Sequence, residues 1–229
     1  MFDHERSRRM NRKALVAEFI STFALVFVGV GAIAVDNMIG GKSGLVGIAL
    51  AHGLVIAVMV SATMAISGGH INPAVTIGAW AAKKIDTVNA IGYILAQCLG
   101  AVVAAFLIKF AVPVEVLSAV HMGTPELGNG ISVSQGIVTE VILTFFLMFA
   151  VYATGIDRRA PKVGGLFIGL TVTLDILMGG PITGAAMNPA RHLGPALMGG
   201  PTEHIWLYWV APVAGAVLAA LVYKWTLEE

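Results

Sequence analysis

Two polar tripeptides of the same sequence lie inside a strongly apolar chain. They are Asn72-Pro73-Ala74 and Asn188-Pro189-Ala190. Asparagine is a favoured N-cap and proline a favoured first helical residue, so each tripeptide predicts the start of a helix. An asparagine that caps its helix with the side-chain oxygen still carries an NH2 group that can donate hydrogen bonds. The pair therefore predicts two helix starts that each present an amide donor.

Two glutamates, Glu18 and Glu140, repeat in the same way. The segments AEFISTFALVF and TEVILTFFLMF around them resemble each other, and they place the glutamates 54 and 48 residues before Asn72 and Asn188. Because the glutamates are duplicated and no lysine pairs with either, we interpret both as acceptors for exposed loop N–H groups. Proton carriage is the alternative.

The other reactive side chains form no catalytic or metal-binding pattern. The histidines are scattered singly, no nucleophile stands at a suitable spacing from a base, and Cys98 lies alone in an apolar run. A single cysteine excludes an intrachain disulfide and gives no metal-ligand spacing. We therefore predict no enzyme activity, no cofactor, no metal site and no nucleic-acid partner.

The composition indicates that the elements carrying these residues cross a membrane. Of the 229 residues 57% are hydrophobic and 12% are charged, whereas a soluble domain is about 25% charged. A membrane-spanning helix needs about 20 apolar residues. Six stretches qualify, at 14–35, 44–66, 89–111, 134–154, 163–179 and 204–225.

Both tripeptides begin segments that are too short to span the bilayer. Residues 72–82 would form about 16 Å of helix, or half of a hydrocarbon thickness of about 30 Å. The Gly-rich residues before each tripeptide would be non-helical backbone inside the membrane. Such backbone is tolerated only where it is buried in protein or lines a water-filled cavity. The sequence therefore predicts two half-helices beside a wet cavity.

The duplication predicts an inverted repeat. Each copy holds three spans, an odd number, so the second copy enters the bilayer from the opposite side. The fold class is then an all-α membrane protein with six transmembrane helices and two half-helices that meet near the midplane. We divide the chain into an N-terminal segment 1–13, a first repeat 14–111, an extracellular connecting loop 112–133 and a second repeat 134–229.

Most of the positive charge falls on one side of the predicted spans. Eleven of the fourteen lysines and arginines lie there, which the positive-inside bias makes cytoplasmic. They are Arg6, Arg8, Arg9, Arg12, Lys13, Lys83, Lys84, Arg158, Arg159, Lys162 and Lys224. We expect a multi-pass protein of the cell membrane with both termini in the cytoplasm.

Two helix N-termini that face each other predict a barrier to cations. Each carries about half a positive charge together with unpaired N–H groups. A water that accepts hydrogen bonds from both Asn72 and Asn188 cannot also accept one from the next water. Because this interrupts the hydrogen-bonded chain that protons need, we expect a passive channel that conducts water and excludes protons and ions.

The duplicated Asn-Pro-Ala boxes, the six spans, the paired glutamates and Asn188-Pro-Ala-Arg191 resemble the aquaporin, or major intrinsic protein, family over nearly the whole chain. The stretches SGGHINPAVT and GPAL followed by WLYWV are most similar to the plant tonoplast intrinsic proteins and to some prokaryotic members. The resemblance implies the aquaporin fold and a homotetramer in a lipid bilayer.

The resemblance also implies a selectivity filter towards the outer mouth. Counted from the tripeptides, its four positions are His52, Ile176, Ala185 and Arg191. Water-selective members typically carry an aromatic residue and a histidine at the first two positions, and glycerol facilitators carry an aromatic residue and a glycine. Histidine and isoleucine resemble the ammonia-permeable members, so we expect ammonia, and also hydrogen peroxide, to pass with water.

Further pore residues are expected from the same motifs. Backbone carbonyls would come from Gly68, Gly69, His70, Gly184 and Ala186, and an apolar wall from Leu25, Ile56, Leu147, Val172 and Met187. For the wall residues ordinary helix packing is the alternative, and for His70 it is a pH-sensing side chain. Asp175 is expected either to bond a neighbouring loop or to tune the filter. His192 and the Tyr208-Trp209 pair favour the water-conducting branch over the glycerol facilitators.

Three other functions remain open from the sequence. A facilitator of glycerol or other small neutral solutes would use the same fold. A coupled transporter also uses inverted repeats and broken helices, but it would need an ion site that the motifs do not supply. A structural membrane protein would keep the fold without conducting.

Overall fold

The computed structural model describes residues 10–229, and the regular elements in that range are helical. Within it nine α-helices follow in order: α1 Arg12–Met38, α2 Gly44–Ser67, α3 Pro73–Ala81, α4 Thr87–Ala111, α5 Val114–Ala119, α6 Val133–Val151, α7 Gly164–Thr183, α8 Pro189–Leu197 and α9 Leu207–Thr226. The predicted residues Arg6, Arg8 and Arg9 lie outside the described range.

Six of the described helices are long and apolar enough to cross a membrane, which confirms the predicted fold class. They are α1, α2, α4, α6, α7 and α9, and α6 continues through a π-helical turn at Tyr152–Ile156. The two short helices α3 and α8 begin at the prolines of the tripeptides. The connection 112–133 holds α5 and a 3₁₀ turn at His121–Gly123, which the sequence analysis did not predict.

The fifth span is longer than the sequence analysis predicted. Its expected end at residue 179 comes just before Pro181, but α7 runs through that proline to Thr183. A proline removes one backbone donor from a helix without necessarily ending it. The helix ends instead at Gly184, whose φ of 75° is left-handed, just as α2 ends at Gly68 with a φ of 87°. Glycine adopts this conformation without steric cost.

The long helices pack in pairs that reflect the duplication. Helix α1 packs on α4 and α6 on α9 within their repeats, while α2 packs on α7 between the repeats. At this central interface a side chain on Gly169 would lie 2.3 Å from the carbonyl oxygen of Gly53. The two backbones therefore approach as closely as they do only because both positions are glycine, as is common between membrane helices.

The outer surface of the bundle is apolar. Exposed side chains along the long helices include Val16, Leu54, Leu95, Phe110, Leu174 and Trp225. A broad apolar exterior matches a hydrocarbon solvent, while the polar residues of the two tripeptides lie inside.

Candidate functional site: a cavity between the two repeats

Each half-helix begins with the predicted asparagine cap. The Asn72 side-chain oxygen accepts from the Ala74 N–H at 2.8 Å, and the Asn188 oxygen accepts from the N–H groups of Ala190 at 3.0 Å and Arg191 at 3.2 Å. Asparagine and proline thus start α3 and α8 in the way that their preferences favour.

The two asparagine amides also hold the repeats together at the centre. Asn72 Nδ2 donates to the carbonyl of Met187 at 2.8 Å, and Asn188 Nδ2 donates to the carbonyl of Ile71 at 3.0 Å. An NH2 group carries two hydrogens. One hydrogen of each amide is therefore used between the repeats, and one remains for the cavity.

The loops before the half-helices adopt unusual backbone conformations. Ile71 has a φ of 58° and Met187 a φ of 51°. Positive φ is a genuine outlier for a β-branched residue such as isoleucine. Each such residue costs about 1–3 kcal/mol and persists only where its surroundings enforce it.

Glu18 and Glu140 stabilise these backbone conformations through hydrogen bonds. Glu18 accepts from the backbone N–H groups of His70 at 2.9 Å and Ile71 at 2.6 Å. Glu140 accepts from the N–H groups of Ala186 at 2.9 Å and Met187 at 2.7 Å. Both carboxylates are fully buried. This is the geometry of an acceptor that fixes a loop, the role that the duplication suggests.

A narrow cavity runs between the repeats past both asparagines. Its lining includes the four expected filter residues, His52, Ile176, Ala185 and Arg191. It also includes all five expected wall residues, Leu25, Ile56, Leu147, Val172 and Met187. Among the residues expected to contribute backbone carbonyls, Gly69, His70 and Ala186 line it as well.

Gly68 and Gly184 do not line this cavity. Both are helix C-caps, and their N–H groups donate to Met64 and Gly180. The cavity also reaches Val60, Val75, Val151 and Ile168, which the sequence analysis missed. Val60, Val151 and Ile168 each lie four residues from an expected wall residue on the same helix. Since side chains four apart share a helix face, this spacing could have revealed them.

The expected filter residues His52 and Arg191 are hydrogen-bonded to each other. His52 Nδ1 lies 2.8 Å from the carbonyl oxygen of Ile48, which can only accept, so Nδ1 carries the proton. His52 Nε2 lies 3.2 Å from a terminal nitrogen of Arg191 and accepts from it. The imidazole is therefore neutral, with both nitrogens engaged. The other terminal nitrogen of Arg191 donates to the carbonyl of Gly123 at 2.6 Å.

The other two expected filter residues are apolar. Ile176 and Ala185 are 5% and 3% exposed and carry no polar side-chain atom. Both ring nitrogens of His52 are engaged. The polar side-chain groups that remain available to a permeant at the four expected filter residues are therefore the other N–H donors of Arg191. Apart from these donors, the four expected filter residues offer a permeant no free polar side-chain group.

Two residues that are adjacent in sequence to expected filter residues lie outside the cavity. Asp175 is buried, yet it does not line the cavity, and its Oδ2 has no hydrogen-bond partner within residues 10–229. His192 is also buried, and its ring stacks on Tyr208 with the centroids 4.2 Å apart. Neither side chain is placed to contact a permeating molecule.

Outside the spans, a polar cluster joins the α6–α7 connection to the end of α9. Arg159 donates to both carboxylate oxygens of Asp157, at 3.0 Å and 2.6 Å. This pairing holds the pKa of Asp157 well below its usual range. A hydrogen bond from Lys84 lowers the pKa of Glu228 in the same way. These charged side chains are therefore paired with one another.

The chain is similar to known proteins over nearly its whole length. The family model described as Major intrinsic protein matches residues 5–223. Aquaporin TIP4-4 of Zea mays is 46% identical over 220 residues, which cover 92% of this chain and 85% of that protein. Probable aquaporin TIP3-2 of Arabidopsis thaliana is 42% identical over 228 residues, which cover 94% and 84%.

A solved structure shows the same likeness in three dimensions. The X-ray structure of the aquaglyceroporin from Plasmodium falciparum superposes with a TM-score of 0.84 at 26% sequence identity. The superposition covers 93% of this chain and 96% of the other.

Proposed function

Because the chain belongs to the major intrinsic protein family, we propose that it is a water pore that also conducts ammonia and hydrogen peroxide and excludes protons and other ions. It is a passive channel and not an enzyme. It is also a multi-pass membrane protein.

The centre of the cavity supports the proposal of water conduction without protons. Asn72 and Asn188 each keep one N–H, and the surrounding wall of Leu25, Ile56 and Leu147 offers no other partner. A water that accepts from both amides points its own hydrogens towards the two mouths. Since it has no lone pair left for a neighbouring water, a proton cannot be relayed through it. The positive ends of α3 and α8 add an electrostatic barrier to any cation.

The pairing of His52 with Arg191 carries the ammonia proposal. With His52 fully engaged and Ile176 and Ala185 apolar, the filter gives a permeant few polar side-chain partners. Water gains more than ammonia from a fully polar ring, so the loss of polar partners penalises water more. Hydrogen peroxide is small and neutral and bonds through hydroxyl groups, so we include it among the permeants. Glycerol carries three hydroxyl groups, and we expect it to pass poorly.

We further propose that the channel is a homotetramer in the cell membrane with both termini in the cytoplasm. The charge asymmetry of the chain supports this orientation. The family resemblance supports the assembly.

The ammonia proposal is tested by rebuilding the aromatic-and-histidine filter that is typical of water-selective members of the family. Stopped-flow permeabilities to water, ammonia, glycerol and hydrogen peroxide would be measured in one proteoliposome preparation. The double substitution His52→Phe and Ile176→His should lower the ammonia-to-water ratio and keep appreciable water flux. His204→Phe is the control, because it also replaces a histidine by phenylalanine but lies outside the cavity. It should leave the ammonia-to-water permeability ratio unchanged.

Other outcomes would replace the proposal. An unchanged ratio in the double variant would remove the ammonia assignment. Flux that saturates and depends on an ion gradient would indicate a coupled transporter. Negligible osmotic permeability in well-reconstituted vesicles would indicate a structural protein.

A further inference from the structure

Two lysines outside the cavity occupy matching places in the two repeats. Lys109 lies in the last turn of α4 and Lys224 in the last turn of α9. They are 115 residues apart, nearly the same as the 116 residues between Asn72 and Asn188. The duplication therefore carries a lysine at the same position as well as an asparagine.

Each lysine bonds to the outer end of a half-helix. Lys109 Nζ donates to the carbonyl of Met198 at 2.9 Å, and Met198 is the C-cap of α8. Lys224 Nζ donates to the carbonyl of Ala82 at 2.8 Å, and Ala82 is the C-cap of α3. Neither ammonium forms an ion pair with a carboxylate in the part of the chain that the structure describes.

The two contacts cross between the repeats. Lys109 belongs to the first repeat and holds α8 of the second, while Lys224 belongs to the second repeat and holds α3 of the first. Glycines bring the same pairs of helices together. A side chain on Gly194 of α8 would lie 2.5 Å from the carbonyl oxygen of Ala101 in α4, and one on Gly78 of α3 would lie 3.0 Å from that of Ala216 in α9.

A lysine in the last turn of a helix often only complements the dipole of its own helix. That explanation does not account for the hydrogen bonds to Met198 and Ala82, which belong to other helices. Both ammonium groups donate to the C-cap carbonyl of the neighbouring half-helix, and both do so at equivalent positions of the duplication. The same contact made twice indicates a role in holding the half-helices.

We propose that Lys109 and Lys224 are cross-repeat anchors, each fixing the outer end of the half-helix of the other repeat and thereby positioning the asparagine at its inner end. A nine-residue helix is a rigid rod of about 14 Å, so a shift at the outer end moves the inner end too. The positive charge also offsets the negative end of each half-helix dipole, which leaves the positive end dominant at the centre. This inference rests on the proposed role of the asparagines in conduction.

Hydrogen–deuterium exchange of the reconstituted protein tests the crossed arrangement directly. Lys109→Met should speed exchange in residues 189–198 and not in 73–82, and Lys224→Met should do the reverse. Because a hydrogen bond from a charged donor is lost, we expect at least about a fivefold change. Lys109→Arg and Lys224→Arg should keep the exchange slow. Lys42→Met, in the exposed α1–α2 connection, is the matched control and should change neither segment.

Osmotic permeability measured on the same preparations tests the link to the asparagines. Both methionine variants should conduct water more slowly than the arginine variants at equal protein content. Unchanged exchange, or equal changes in both half-helices, would overturn the proposal. A crossed exchange pattern with unaltered water flux would overturn it too, because the outer ends would then be decoupled from the asparagines. The exchange result does not depend on the permeant, so a failed anchor and a failed channel assignment are distinguishable.

Discussion

His52 is held from three sides. Ile48 accepts its Nδ1–H, Arg191 donates to its Nε2, and Gly29 of α1 lies against the ring. A methyl group at position 29 would lie 2.5 Å from Nε2, which is too close. The filter geometry therefore depends on a residue that does not itself line the cavity.

Gly29→Ala should disturb the filter while the fold survives. Overpacking costs about 1–3 kcal/mol, and a movement of the His52 ring relieves it. The displaced ring breaks its bond to Arg191 and obstructs the constriction, so water permeability should fall severalfold. Gly31→Ala is the control, because its methyl group would meet only Ile108 at an ordinary 3.7 Å. Equal permeabilities in both variants would contradict this account of His52.

Mercurial reagents should not block the unmodified channel. Cys98 is half-buried in α4 and does not line the cavity, whereas Ala185 does. Ala185→Cys places a thiol at the filter, so mercury should then abolish most of the water flux, and a reducing thiol should restore it. Strong block of the unmodified protein, relieved by Cys98→Ser, would show that Cys98 reaches the pore.

At this scale the residues that the sequence predicted for the filter and the wall do line the cavity, because a duplicated motif and a family resemblance fix their spacing. It could not predict Gly29, Ile48 or Gly123 as partners of the filter. Each of these residues acts through a neighbour on another turn or another segment, and its own sequence context is ordinary. Gly68 and Gly184 were assigned to the pore because they precede the motifs, whereas their conformation makes them helix caps.

At the scale of elements, the half-helices depend on the loops that precede them. Glu140 accepts from Ala186, Met187 and the hydroxyl group of Thr183 at 2.7 Å. A neutral amide at this position would present hydrogens to at least one N–H that now donates to it.

Glu140→Gln should therefore destabilise the fold more than a surface change of the same kind. Loss of a hydrogen bond to a charged group costs about 1.5–3 kcal/mol, which corresponds to a fall of about 3–12 °C in the unfolding midpoint for a chain of this size. Glu115→Gln, on an exposed side chain of α5, is the control. Equal midpoints in the two variants would show that the carboxylate does not support the loop.

The α6–α7 connection should show a defined pH dependence. Asp157 has a depressed pKa through its bonds from Arg159, so the pair stabilises the fold above the unfolded-state value of about 3.9 and loses this effect as the pH falls below it. The unfolding midpoint of the unmodified protein should therefore exceed that of Asp157→Asn by a constant margin near neutral pH, and this margin should shrink in acid. A margin that stays unchanged through that range would contradict the pairing.

The existence of the helices was easier to predict than their ends. Long apolar runs predict the six spans, but the end of α7 was placed at residue 179, four residues too early, because the apolar run does not show that the helix continues through Pro181. Helix α5 was missed since a six-residue helix in a connection leaves no periodic signal.

At the scale of the whole molecule, the inverted repeat converts two ordinary helix starts into one site. Each asparagine donates to the loop of the opposite repeat, and each half-helix packs on the last span of the opposite repeat. Neither repeat alone would hold both donors over the same point of the cavity. The duplication is thus the basis of the proposed exclusion of protons.

The most direct test of this account compares water and proton fluxes through the same channels. Proteoliposomes with increasing protein content would be exposed to an osmotic step and, separately, to a pH step under a clamped membrane potential. We predict that water permeability rises in proportion to protein content while the proton flux stays at the level of protein-free vesicles. A proton flux that rises in step with water permeability would contradict the central claim that the paired asparagines interrupt the water chain.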